Sequence, residues 1–404
     1  MSGHFWRSGA LPAALGSLGS LGAQAVMALF LLRLFEPQAV GIFSVIAQVA
    51  FGLATLALAQ SQMSLLANQH LPALPAARQA LLASLRRWVW LAPLATLALW
   101  WSARGTSGGN WLTACAWALA IGLTQMACLL AQSLSLRIHS PLSIAFVRLV
   151  PPVLAATMAG VGALWLDWRN SNVLTAAALS GYAAGALWLS PLLQSDAATT
   201  QRLSASPQAD QRSERLKFLH TLSDVFVATA LAVHWTSVYG AAEAGCLLVL
   251  LRVMGFVPAL VSTAWAQVVL SRPLARRPSS ALAALAGCVS IWALGLTIGY
   301  ALQAGWLSAR WSGLEAFVWP VALWQTGACL IASASHRPFR HGRSVSYTRQ
   351  CMVLNAVQMA LVFVPPVLGW PMQLHLWALA GSLGLALSMQ AIWASRLTPE
   401  NVPL

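Results

Sequence analysis

The sequence predicts an all-α integral membrane protein: about twelve transmembrane helices in two parallel, pseudo-symmetric six-helix lobes around a central cavity. Three observations carry this. Hydrophobic residues make up 58% of the chain and charged residues 8%, too few polar groups to clothe a soluble fold. The apolar residues fall in runs of roughly the 20 residues that a helix needs to cross a bilayer. The basic residues crowd into every second gap between those runs. One set of gaps holds Arg78, Arg86 and Arg87, then Arg137, then Arg202, Arg212, Arg215 and Lys217, then Arg272, Arg276 and Arg277, then Arg337, Arg340, Arg343 and Arg349. The alternate gaps hold Arg33, Arg104, Arg169 and Arg310. With Arg7 and Arg396 near the ends, this positive-inside bias places both termini in the cytoplasm.

The expected spans, in order, are 10–34, 40–67, 81–101, 111–135, 141–166 and 172–193, then 216–239, 244–270, 281–303, 315–335, 349–369 and 373–395. Gly, Pro and polar residues punctuate them, as at Glu36-Pro37, 105–110 and Arg272-Pro273. The segment 194–215, rich in Gln, Ser, Asp and Arg, reads as a cytoplasmic linker between lobes 1–193 and 216–404. Trp100, Trp101, Trp111, Trp165, Trp168, Trp306, Trp311, Trp370 and Trp377 all fall at expected outer helix ends, where indole rings favour the headgroup layer.

The net charge of +14 belongs to these loops and faces anionic lipid headgroups rather than nucleic acid. The six cysteines lie in or beside apolar runs and form no CxxC pair, so they imply neither a disulfide frame nor a metal site. No cofactor is expected. The first apolar run continues past Ala23-Gln24-Ala25 to Leu34, which makes it a retained helix rather than a cleaved signal.

The two halves echo each other. Val150-Pro151-Pro152-Val153-Leu154 recurs as Val364-Pro365-Pro366-Val367-Leu368, and Ala127-Cys128-Leu129-Leu130-Ala131 as Ala328-Cys329-Leu330-Ile331-Ala332. Glu36 to Gly41 aligns with Glu243 to Gly245. Six helices per half make the repeat parallel. The Pro-Pro pairs are expected to bend the fifth and eleventh spans at matching depth.

Arg33-Leu34-Phe35-Glu36-Pro37 with Gly41-Ile42-Phe43, and Ala244-Gly245 through Arg252 to Pro258 with Gln267-Val268, resemble the bacterial polysaccharide flippases. These export lipid-linked O-antigen and capsule oligosaccharides and belong to the multidrug/oligosaccharidyl-lipid/polysaccharide exporter superfamily. The resemblance implies a transporter of the bacterial inner membrane, not an enzyme. Its partners would be a polyprenyl-diphosphate-linked glycan, the bilayer and membrane proteins of polysaccharide assembly.

Charged groups inside spans are the candidate site residues, since each costs about 2.5–3.5 kcal/mol at mid-membrane. Arg252, Arg33 and Arg148 are the candidates for substrate binding, because guanidinium forks stay charged and bind phosphate bidentately. The bland readings are snorkelling for Arg33 and a structural ion pair for Arg148. Asp224 and His220, one helical turn apart, are the candidates for ion coupling. A gate between Asp224 and Arg148, or plain local pairing, are the alternatives. The basic stretch His336 to Arg343 is expected to touch substrate phosphate or only to set orientation. Rival functions are a multidrug or peptidoglycan-precursor exporter, and an integral-membrane polymerase or acyltransferase. A polymerase needs a large outer loop, which this chain lacks.

Overall fold

The computed structural model describes residues 10–59, 61–67, 72–103, 110–138, 141–194, 211–271 and 280–397. Every regular element in them is helical. The chain divides into two compact units, Met1–Glu214 with Gly240–Ala242, and Arg215–Tyr239 with Glu243–Leu404. Among the described residues, ten helices are long and apolar enough to cross a membrane, and Gly19–Leu34 is a shorter apolar helix. The expected linker falls mostly at 195–210, outside the described residues, as do the expected break at Arg272-Pro273 and all but Asn110 of that at 105–110.

The first unit runs α1 (Ala10–Leu34), α2 (Pro37–Leu58), α3 (Ser61–Ala67), α4 (Ala73–Ala103), α5 (Trp111–Ile138), α6 (Pro141–Leu164) and α7 (Ser171–Ala186), the last continued by a 3-10 segment, Leu187–Gln194. Pro37 opens α2, a position where its missing N–H has no intrahelical partner to lose. α5 stands at the centre, with Met126, Leu130, Ala131 and Leu134 buried against Ala54, Ala57 and Leu58 of α2. Small residues set the helix spacing: a Cβ on Gly122 would lie 3.2 Å from the Ala50 carbonyl, and one on Gly181 would collide with the Pro151 carbonyl.

The expected second span, 40–67, is two helices. Ala59 takes left-handed geometry, φ 42°, and its N–H caps Thr55. The carbonyls this break exposes are met from α4: Arg87 donates to the Ala57 and Leu58 carbonyls at 3.0 and 3.1 Å and to Ser61 Oγ at 3.3 Å. Arg137 donates likewise to Leu65 in α3 at 3.2 Å. These two arginines, read from the sequence as orientation charges, also satisfy helix C-termini and complement their dipoles. Arg87→Ala should therefore destabilise the first unit by about 1.5–3 kcal/mol, the range for hydrogen bonds to a charged group. A lowered melting temperature in detergent, partly restored by Arg87→Lys, is the result expected. An unchanged melt would show that the cap is incidental.

The second unit runs α8 (Gln211–Tyr239), α9 (Ala241–Ser271), α10 (Ser280–Gln303), a 3-10 segment at Ala309–Leu314, α11 (Glu315–Ala334), α12 (Arg337–Arg340), α13 (Ser344–Val367) and α14 (Met372–Ser395). α11 packs between α10 and α14. Its approach to α14 is backbone on backbone: a Cβ on Gly327 would stand 2.6 Å from the Gly384 carbonyl. No larger residue fits there without separating the helices.

The expected span 81–101 lies within α4, Ala73–Ala103. Two expectations need correction. The two Pro-Pro pairs do not sit at matching depth. Pro151 and Pro152 lie mid-helix in α6, whereas Pro365 and Pro366 lie in the last turn of α13. There Gly369, φ 72°, takes the left-handed conformation and Trp370 N–H returns to the Pro365 carbonyl at 3.0 Å, ending the helix as a Schellman turn does. Trp311 is fully buried in the 3-10 segment, unlike the other tryptophans expected at helix ends, all of which are exposed. The basic stretch from His336 contains α12, and Arg337 donates to the Ser395 carbonyl at 2.5 Å and to Ser280 Oγ at 3.3 Å. That arginine caps α14.

Candidate functional site

The polar centre best defined in the second unit lies between α8 and α13. Asp224 stands six residues past the start of the apolar span Phe218–Tyr239, about 9 Å along at 1.5 Å per residue. Half of its side chain is exposed, and His220 Nδ1 approaches Oδ1 at 3.3 Å. This is ion-pair distance, but the ring is not aimed to share a hydrogen bond. The carboxylate is held instead by Asn355 of α13, whose Nδ2 donates to Oδ1 at 2.5 Å and to Ser223 Oγ at 2.8 Å. The i, i+4 spacing on α8 sets His220 beneath Asp224, and Asn355 bridges to them from 131 residues away. The sequence singled out His220 and Asp224 as a pair one helical turn apart.

Higher on α8 lies a histidine-aromatic cluster that the sequence reading missed. His375 of α14 is 1% exposed. Its Nδ1 is 2.8 Å from Tyr239 Oη and its Nε2 is 2.7 Å from the Leu361 carbonyl. A carbonyl can only accept, so Nε2 carries the hydrogen and Nδ1 accepts from the tyrosine. Trp235 packs on His375 with ring centroids 4.9 Å apart. His234 lies against Phe363 at 4.4 Å, and neither of its buried ring nitrogens has a hydrogen-bond partner. The sequence signal was slight: isolated histidines within apolar runs.

The three arginines stand apart from this acidic centre along the chain. Arg33 is exposed at the end of α1, and Arg148 is half-buried seven residues into α6, about 10 Å from its start. Arg252 is exposed eleven residues into α9, about 16 Å along. It lies deeper than expected, because α9 begins at Ala241 rather than 244. Among the described residues no group of three His, Cys, Asp or Glu side chains comes together to hold a metal ion.

Half-exposed Asp224, within an apolar helix and beside an imidazole, can hold a proton or an organic cation. A carboxylate at that depth is costly unless something compensates it. No family model matches the chain, and no curated protein does. Solved structures do. An inward-facing multidrug resistance MATE family transporter of the MOP superfamily aligns at a TM-score of 0.55 and 13% identity, covering 92% of this chain and 93% of that one. The fold is that of a MATE transporter. A eukaryotic MATE transporter aligns at 0.46 and 13% identity, covering 96% of this chain and 94% of that one.

Proposed function

We propose that the protein is an alternating-access exporter of amphipathic organic molecules in the bacterial inner membrane, with both termini cytoplasmic. It makes and breaks no covalent bond. The multidrug type follows the name of the structure whose fold it shares. The observation that carries this reading is Asp224, a half-exposed carboxylate set in an apolar span. Such a group attracts cationic substrates or protons, because opposite charge repays the desolvation that the span imposes. Asn355 holds it ready for that exchange, with the His220 ring 3.3 Å away.

A second reading, export of a polyprenyl-diphosphate-linked oligosaccharide, is favoured by Arg33, Arg148 and Arg252. Guanidinium groups along helices that otherwise carry almost no charge suit a diphosphate.

One experiment separates the two. The full-length chain is reconstituted in vesicles under an imposed pH gradient, and movement of ethidium is compared with movement of a fluorescent polyprenyl-diphosphate sugar. Gradient-driven ethidium movement is the result expected. Movement of the diphosphate lipid alone, lost in Arg252→Ala, would establish the second reading instead. Movement of neither would overturn both.

A further inference from the structure

An apolar groove of about 460 Å³ runs between α1 and α6. Its floor is made of small residues, Gly19, Ala23 and Gly160, and its sides include Phe30, Val153 and Leu164. The two helices run parallel and in register. A Cβ on Gly16 would meet Ala145 at 2.7 Å, one on Gly19 would meet Leu149 at 2.7 Å, and one on Gly160 would meet Phe30 at 2.8 Å. That register sets Arg33, one turn beyond Phe30, level with Leu164 and Trp165 at the same end of the groove.

The dimensions are informative. Gly19 to Phe30 spans about 16 Å at 1.5 Å per residue, which is the depth of one leaflet in a hydrocarbon core of about 30 Å. At one end stand an exposed guanidinium and an exposed indole, the pair of groups that favours the headgroup layer. Two loop acids lie near that end: Asp167 is already paired with Arg169 at 2.8 Å, and Glu36 follows Arg33 by three residues. A ligand that fits has one chain, a leaflet long, ending in a negative head.

We propose that this groove seats an acyl chain of an anionic phospholipid, with Arg33 holding the phosphate and Trp165 packed at the chain's headgroup end. The glycine and alanine floor recesses the chain below the ordinary helix surface, so it binds in a fixed place rather than as passing solvent. A polyprenyl chain, built to reach beyond one leaflet, would overrun a recess of this length.

The test counts lipid on the purified full-length protein by native mass spectrometry as phosphatidylglycerol is titrated. Phosphatidylcholine and a polyprenyl phosphate are titrated in parallel. Phosphatidylglycerol should bind at roughly tenfold lower concentration than phosphatidylcholine, a margin suited to one charge-assisted contact. Arg33→Gln should erase that preference and Arg33→Lys restore most of it. Thr157→Trp, which fills the groove from an exposed position, should remove the bound lipid, with Thr157→Leu as the milder filling if the larger one disturbs folding. Binding unchanged in Arg33→Gln and in the filled variants would overturn the proposal. Displacement of phosphatidylglycerol by an equal or lower concentration of polyprenyl phosphate would overturn the choice of ligand. The readout is binding alone, so it stands or falls independently of what the protein exports.

Discussion

Asp224→Asn should cut gradient-driven export by at least roughly tenfold, the consequence of losing 1.4 kcal/mol or more of coupling, while the protein folds and inserts normally. The substitution keeps the shape and keeps an oxygen to accept the hydrogen bond from Asn355. It removes only the charge and the capacity to take up a proton. A group that merely ties α8 to α13 would tolerate this change, because the tie survives it. Asp224→Glu keeps the charge but moves it by one methylene, so partial export is expected there. His220→Ala should have a smaller effect, since the ring sits 3.3 Å from the carboxylate but does not hold it. Ethidium movement in vesicles, measured with the gradient imposed and collapsed, reads all three. Asp224→Asn vesicles that match wild type with the gradient imposed would remove this residue from the transport mechanism and leave it a structural one.

The residues legible from the sequence were those whose signal is local. Trp111 and Arg137 bracket α5 almost to its ends, because an interfacial indole and a basic loop residue both report the membrane boundary. His220 and Asp224 were paired by helical spacing alone, and they lie together. What escaped depends on distant partners. Nothing in Leu58-Ala59-Gln60 announces that α2 ends there, since neither Gly nor Pro is present. The break is supported by Arg87, 29 residues further on, which takes the freed carbonyls. The two Val-Pro-Pro-Val-Leu segments are identical, yet one lies mid-helix and the other at a helix end. Proline sets a local restriction, and the flanking Gly369 decides that the second one terminates α13. Trp311 was misplaced for a similar reason: a tryptophan near a helix end is interfacial only where no neighbouring element covers it.

The same proline pair explains the second large effect, expected for His375→Ala. Pro365 has no N–H, so the Leu361 carbonyl four residues before it lacks its helical donor. His375 supplies that donor from α14 at 2.7 Å, and on its other nitrogen accepts from Tyr239 of α8 at 2.8 Å. One imidazole therefore joins three helices of the second unit and repairs a hydrogen bond that the sequence of α13 makes impossible. Removing it strands the carbonyl and the phenol and opens a void beside Trp235, which is itself 1% exposed. Each stranded group costs about 1–3 kcal/mol, and the void adds to that, so a loss of about 3–5 kcal/mol is expected in denaturant or thermal melts. Tyr239→Phe should cost about 1 kcal/mol, the net worth of a single hydrogen bond. In the double variant the two losses should add up to less than their sum, because Tyr239 has nothing to lose once the imidazole is gone. Full additivity would mean that the two side chains do not interact. Pro365→Ala in the His375→Ala background should recover part of the stability, since it returns to the Leu361 carbonyl the N–H donor that proline withholds.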